Sequence, residues 1–192
     1  MLSMLREFGT VTGLDASPIA VDYCQDRFKG SVEVRLGLIP DDIPDGADVI
    51  TAFDVVEHLE DDEKALAGIH DRLPSGGLFI CTVPAFPFLW SGHDVVHHHY
   101  RRYTRASLRR RLEDAGFTVE RLGYFNTFLF PAAAAIRVLH RFLPGAPSAS
   151  DAATPHPLVN RLLLALFASE RFLLRGATLP VGVSLLAICH SD

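Results

Sequence analysis

Short apolar runs alternate with longer amphipathic stretches along this chain, and turn-forming residues separate them. Phe8 to Asp15 (FGTVTGLD) is a β-rich run, and Ser17-Pro18 after it has the form of a helix cap with proline in the first turn. A helix is expected from about Pro18 to Phe28. Val32 to Leu36 alternates as a strand, Pro40 to Gly46 has turn chemistry, and Ala47 to Phe53 (ADVITAF) is a near-continuous buried-strand run. A second helix is expected from about Glu60 to Leu73, with Leu66, Ile69 and Leu73 on one stripe. Pro74-Ser75-Gly76-Gly77 ends it, and Leu78 to Val83 (LFICTV) is a further buried strand. After a loop from Pro84 to Tyr103, Thr104 caps a helix carrying Leu108, Leu112 and Ala115, which stops at Gly116. Phe117 to Tyr124 is the next strand. Asn126 to Leu179 holds two apolar helical stretches, about Ala132 to Phe142 and Pro157 to Leu174, split by the Pro/Ala/Ser-rich linker Pro144 to Pro155. Gly182 to Cys189 closes the chain as a last strand.

Strands alternating with helices of this length imply βαβ units, hence an α/β fold with a mostly parallel sheet covered on both faces. Ligand is then expected in the crevice at the carboxyl ends of the strands. The residues at those ends are Asp15, Gly37 to Ile39, Asp54 to His58, Pro84 onward, and Asn126.

Composition narrows the class without changing this picture. The 192 residues, 48% of them hydrophobic and 21% charged, suit one globular domain. A net charge of −5 is too acidic for a protein that coats nucleic acid, so no nucleic-acid partner is expected. Cys24, Cys81 and Cys189 are odd in number and far apart, which indicates neither a disulfide framework nor a thiolate metal knuckle. No window reaches the ~18 apolar residues of a spanning helix, and the start lacks the layout of a secretory signal. A cytoplasmic location is the expectation.

Three groups of residues carry candidate chemistry. Asp15 ends a strand before a helix start, where a carboxylate can accept both hydroxyls of a nucleotide ribose or simply cap the turn. Residues 52–62 (AFDVVEHLEDD) set Asp54, Glu57 and His58 directly after a buried strand, while Glu60 to Glu63 also suit a helix N-terminus. Residues 93–103 (HDVVHHHYRRY) are dense in histidine. His93 and His97 stand four apart, a near miss to a metal-hydrolase H-E-x-x-H, and His97 and His99 could chelate along a strand. Flanking Pro84, Pro87 and Gly92 favour a loop over the helix that motif needs, so no metal is assigned. Arg101, Arg102, Arg105, Arg109, Arg110 and Arg111 read as a solvated helix face with ion pairs, since no interleaved aromatic platform accompanies them.

Taken together, TGLDASPIAVDYC, DVITAFDVVEHLEDD, LPSGGLFICTVP, RRYTRASLRRRLEDAGF and GVSLLAIC resemble, in order, segments of class I S-adenosylmethionine-dependent methyltransferases. The resemblance covers most of residues 8–125 and 180–190. It implies a Rossmann-like sheet with an antiparallel last strand and S-adenosylmethionine as cofactor. It further implies a ribose contact by Asp15 with Ala16 and Ser17 beside it, adenine near Gly37, Leu38 and Ile39, and cofactor contacts from Phe53, Asp54 and His58. The loop after the fifth family strand then faces the acceptor, with Trp90, His93, Arg102 and Tyr103 as substrate contacts and His98 or His99 as general base. The family's first strand and its D/E-x-G-x-G-x-G loop have no counterpart here, and MLSMLREFG resembles the helix that follows them, so the chain reads as truncated at its start. Residues 1–125 and 180–192 would form the α/β domain, and 126–179 an apolar helical insertion or lid. That insertion suits a small or lipid-linked acceptor, peripheral membrane contact or a homodimer interface. The alternatives are a non-catalytic methyltransferase-like binding protein and a metal-dependent hydrolase using His93, His97 and His99.

Overall fold

A computed structural model of the chain describes residues 1–142 and 156–192. The linker expected between Pro144 and Pro155 lies outside them. The alternating pattern gives the elements α1 (Leu2–Leu5), β1 (Thr12–Asp15), α2 (Pro18–Phe28), β2 (Glu33–Leu36), β3 (Val49–Phe53), α3 (Asp62–Asp71), β4 (Leu78–Pro84), α4 (Gly92–Val96), α5 (Arg105–Asp114), β5 (Phe117–Phe125), α6 (Phe130–Phe142), α7 (Pro157–Gly176) and β6 (Ser184–Ser191).

The capping residues act where the sequence places them. The Ser17 hydroxyl accepts from the Ala20 N–H at 3.4 Å with Pro18 in the first turn, and the Asp61 carboxylate caps α3 through the Lys64 N–H at 3.0 Å. Thr104 and Ser107 cap α5 reciprocally, and Gly116 beyond that helix adopts φ 99°, a conformation open to glycine. Two expectations are corrected. The strand expected from Phe8 begins only at Thr12, because the Glu7 and Phe8 N–H groups turn back to Met4 and Leu5 and leave Phe8 in solvent. The segment 84–103, read as loop, contains the short helix α4, whose start is fixed by a capping box between Ser91 and Asp94.

The strands fall into two hydrogen-bonded groups. β1 and β2 pair in parallel, Asp15 opposite Leu36, while the second group has the order β3-β4-β6-β5. Within it β3 and β4 are parallel, and β6 runs antiparallel to both β4 and β5, as the resemblance implied for the last strand. Among the described residues no ladder joins β1 to β3.

Two cores follow from this division. The larger gathers Phe79, Cys81 and Val83 of β4, Leu185, Ala187 and Cys189 of β6, Leu66 and Ile69 of α3, and Leu108 and Leu112 of α5. The smaller gathers Val21, Val32 and Val34 beneath α2. Leu14 and Ile39 reach from the β1–β2 side onto the larger core. The Arg72 guanidinium reinforces that joint by donating to the Ile43 carbonyl at 3.0 Å, the Asp41 carbonyl at 3.0 Å and the Asp45 carboxylate at 2.9 Å. Gly68 of α3 lies against Pro40, and a Cβ on Gly68 would strike the proline ring. Replacing Gly68 by alanine should therefore destabilise the fold by ~1–3 kcal/mol through overpacking, despite the better helix propensity of alanine. Urea denaturation of the two proteins measures this, and an unchanged or raised midpoint would show that the joint gives way freely.

Candidate active site

The carboxyl ends of β1 and β2 lie side by side, with the Gly37 N–H donating to the Asp15 carbonyl at 3.0 Å. The Asp15 carboxylate is exposed. Its Oδ1 accepts from the Ser17 N–H at 2.8 Å, and its Oδ2 has no partner among the described residues. Gly37 is needed for close packing, since a Cβ there would come within 2.6 Å of Asp42 Cβ and 2.7 Å of Leu14 Cδ1. The Asp42 carboxylate accepts from the Leu38 N–H at 2.8 Å and fixes the turn, which leaves the Leu38 side chain 62% exposed. Ala16 is exposed and Ile39 half-buried beside it. A fixed carboxylate with a free oxygen and an adjacent exposed apolar side chain suit the ribose and base of a nucleoside.

At the end of β3, Asp54 turns out of the strand with φ 53°. Its N–H donates to the Thr82 carbonyl at 3.0 Å and to Thr82 Oγ1 at 3.1 Å, and the Thr82 hydroxyl contacts Asp54 Oδ1 at 3.2 Å. Thr82 thus locks the turn that follows half-buried Phe53 and leads into a 3₁₀ turn over Val56–His58. That turn sends Glu57 inward, 1% exposed, and His58 outward.

The segment from β4 to α5 folds back over this point. Asp94 is fully buried and its carboxylate is the hub of the segment. Oδ2 accepts from the Ser91 N–H at 2.8 Å, the Ser91 hydroxyl at 3.0 Å and Arg102 at 3.1 Å. Oδ1 accepts from Arg102 Nε at 2.7 Å and faces His99 Nδ1 at 2.9 Å. The Tyr100 N–H donates to the Glu57 carbonyl at 2.8 Å, which sets His99 beside His58, ring centroids 4.6 Å apart and nearly perpendicular.

Electrostatics follow from burial. Burial is the main cause that pushes the Glu57 carboxyl up to about 8, Asp54 and Asp94 adding to it against the opposing effects of its own backbone and Arg102. Burial also favours the neutral form of Asp94, but hydrogen bonds and charge from Arg102, with His99 and Ser91, outweigh it and hold that acid below the usual carboxylate range. Burial of its inner side and then the neighbouring His99 lower the His58 pKa, against a hydrogen bond to the His97 backbone. Cys81 and Cys189 are buried thiols, the latter pushed up to about 12, and neither is a nucleophile.

The structure therefore brings Asp54, His58 and His99 together and uses other predicted residues differently. Arg102, expected to touch substrate, is spent on Asp94 and the Ala85 carbonyl. Tyr103 is 3% exposed and donates its hydroxyl to Asp62 at 2.7 Å, where burial and then Asp62 push its phenol well up. Neither guanidinium nor phenol points at an open crevice. His98 is exposed with φ 55°, and the rings of His93 on α4 and of His97 at its C-cap stand 4.1 Å apart, the helical spacing that the flanking prolines and glycine argued against. Trp90 is 39% exposed beside Phe88, and Phe88 belongs with Phe86 and Phe130 to an aromatic wall. Of the basic residues, Arg101 and Arg111 pair with Asp62, Arg111 also with Glu63, and Arg109 and Arg110 with Glu113 and Asp114, as expected for a helix face. Sequence reasoning missed Asp94 and the inward course of Glu57. Ser91-x-x-Asp94 has capping-box spacing and was the available signal for the first.

Two outcomes test this arrangement. Asp94→Asn should cost about 3–5 kcal/mol, because it leaves the Arg102 guanidinium buried without its counter-charge, and a smaller loss in denaturant unfolding would mean that Arg102 finds water. Glu57 has a raised folded pKa, so its contribution is complete below the ordinary carboxylate value near 4.5 and is lost as pH climbs toward about 8. In metal-free buffer Glu57→Gln should therefore gain on the wild type in melting temperature as pH rises through that window, and a pH-independent difference would refute the assignment.

Comparison with known proteins identifies the family. Residues 1–122 match a family model described as a methyltransferase domain. A Mycolicibacterium smegmatis protein named "Probable S-adenosylmethionine-dependent methyltransferase" is 33% identical over 121 residues, which are 60% of this chain and 47% of that protein, so the match spans about half of the relative's length. Among solved structures, a geranyl diphosphate methyltransferase in complex with SAM aligns with TM-score 0.63 at 13% identity over all of this chain and 73% of its own. A SAM-dependent methyltransferase from Archaeoglobus fulgidus aligns with TM-score 0.58 at 16% identity over 98% of this chain and 80% of its own. The two structures share the Rossmann-like α/β fold, and the match over residues 1–122 places this chain in the methyltransferase domain family.

Proposed function

We propose that the chain transfers a methyl group from S-adenosylmethionine to a small, apolar or lipid-linked acceptor. The observation that carries the reading is the pair of strand ends just described: Asp15 with a free carboxylate oxygen beside exposed Leu38, and Asp54 locked by Thr82. The cofactor supplies a methyl group already activated on a sulfonium. The work left to the protein is positioning, with Asp15 on the ribose hydroxyls, Ala16, Ser17, Gly37, Leu38 and Ile39 around the base, and Phe53, Asp54 and His58 toward the methionine end. On the acceptor side, Trp90 and the wall of Phe86, Phe88 and Phe130 favour an apolar substrate, Phe86 stacking on Tyr124 with centroids 4.9 Å apart.

Residues 126–142 and 156–179 act in this reading as a cover over the acceptor. Arg137 ties that segment to the backbone beside the aromatic wall by donating to the Leu89 carbonyl at 3.2 Å, and within the segment buried Glu170 accepts from the Phe128 N–H at 2.8 Å. Exposed Leu139, Leu162 and Leu164 give the segment an apolar outer surface suited to a lipid-linked substrate. Among the described residues no helix is long and apolar enough to cross a membrane. His98 and His99 are the bases available to an acceptor hydroxyl, His99 through the ring nitrogen that Asp94 does not engage.

Replacing Asp15 by alanine removes a charge-assisted contact of ~1–3 kcal/mol, so S-adenosylmethionine affinity should fall roughly five- to a hundredfold. Calorimetric titration of both proteins reads this. Equal, measurable affinities would sink the ribose assignment, and no heat from either protein would favour a binding protein that does not use this cofactor.

A further inference from the structure

Glu57, His58 and His99 bring one buried carboxylate and two imidazoles to a single point of the crevice. Their ligand atoms, one from each side chain, all lie within 4.8 Å of one another. Glu57 is 1% exposed, and its Oε2 has no hydrogen-bond partner among the described residues. A buried carboxylate oxygen without a donor is costly, and a cation is the partner that relieves it most completely. The two imidazoles come prepared. His99 is held through Nδ1 by the buried Asp94 carboxylate, which leaves Nε2 as the coordinating atom, the carboxylate–histidine arrangement typical of metal ligands. The His58 ring stands edge-on to the His99 ring, centroids 4.6 Å apart. Its outward position leaves one side of the cluster open.

We propose that Glu57, His58 and His99 form a site for one divalent cation of the zinc type, with an open coordination position facing the acceptor. Two imidazoles and one carboxylate suit Zn²⁺ and its first-row neighbours far better than Mg²⁺ or Ca²⁺, which prefer all-oxygen shells. Ligand atoms on a tetrahedral zinc stand ~3.3 Å apart, so ring rotations of the order of 1 Å close the set. The site differs from the hydrolase-like His93/His97/His99 group, whose first two rings sit together on α4 and at its C-cap. Its role rests on the methyltransferase reading: with the ion bound, His99 Nε2 is a ligand and no longer a base, and the cation takes an acceptor hydroxyl in the open position and favours its ionised form, the proton leaving to solvent, so that the oxygen is nucleophilic at neutral pH.

The test reads the metal without the cofactor. Chelator-treated full-length protein is titrated with Zn²⁺ by calorimetry and with Co²⁺ by visible absorption, while S-adenosylmethionine binding is measured in a separate titration. The expected result is one equivalent of either ion, a raised melting temperature with Zn²⁺, and a loss of at least about a hundredfold in affinity for Glu57→Gln and for His58→Ala. The Glu57→Gln variant keeps the shape of the side chain, so its melting curve shows whether it folds. Failure of wild type to bind either ion would overturn the proposal. So would binding that survives Glu57→Gln and His58→Ala but vanishes in a His93→Ala/His97→Ala double variant. Zinc binding without cofactor binding would instead retain the site and remove the methyltransferase reading.

Discussion

The Asp94 carboxylate is the constraint on which the rest of the site depends. It is fully buried, and a buried charge persists only when its lone pairs are occupied and a counter-charge sits beside it. Ser91, Arg102 and His99 meet that requirement from three points of one segment. Because all three must converge on the same two oxygens, the chain between β4 and α5 has little freedom. It turns through α4, returns past Glu57 with the Tyr100 N–H on the Glu57 carbonyl, and pairs Tyr103 with Pro84 and Phe86. The conformation of the crevice floor thus follows from one desolvated acid.

Asp62 plays a parallel part at the other side of Tyr103. It is 2% exposed at the start of α3, takes the Tyr103 hydroxyl, and pairs with Arg101 and Arg111. The two acids divide the basic residues of the segment between them, Arg102 to Asp94 and Arg101 to Asp62. A run that looks from composition like a polyanion-binding surface is thereby consumed internally. Glu57 differs from both, since among the described residues its Oε2 has no hydrogen-bond partner, a property it shares with buried Glu170. What sets Glu57 apart from Glu170 is the pair of imidazoles beside it.

Most of the fold was legible because hydrophobic period and capping chemistry are local properties. The limits of α2 coincide with the expected ones, and the caps at Ser17 and Thr104 are those the sequence marks. The Phe8 end of β1 was not, because an apolar residue continues a turn there without entering a ladder. In the site, Asp54 and His58 could be placed at a strand end by pattern alone. The inward turn of Glu57 toward His99 could not, since it depends on a segment some forty residues away folding back. Tyr103 was misread as a substrate contact for the same reason, its buried partner Asp62 being distant in sequence. Arg102 pairs with Asp94 only eight residues away, but that contact forms only once the segment turns through α4.

The central claim is that Asp94 fixes His99 through Nδ1 and presents Nε2 to the crevice. Nitrogen-15 NMR of histidine-labelled protein, with the His99 signals assigned by substitution, reports that tautomer directly. The expected result in metal-free protein is a proton on Nδ1, facing Asp94. A neutral ring protonated at Nε2 would contradict it, because Asp94 would then not be the acceptor that sets the geometry of the site.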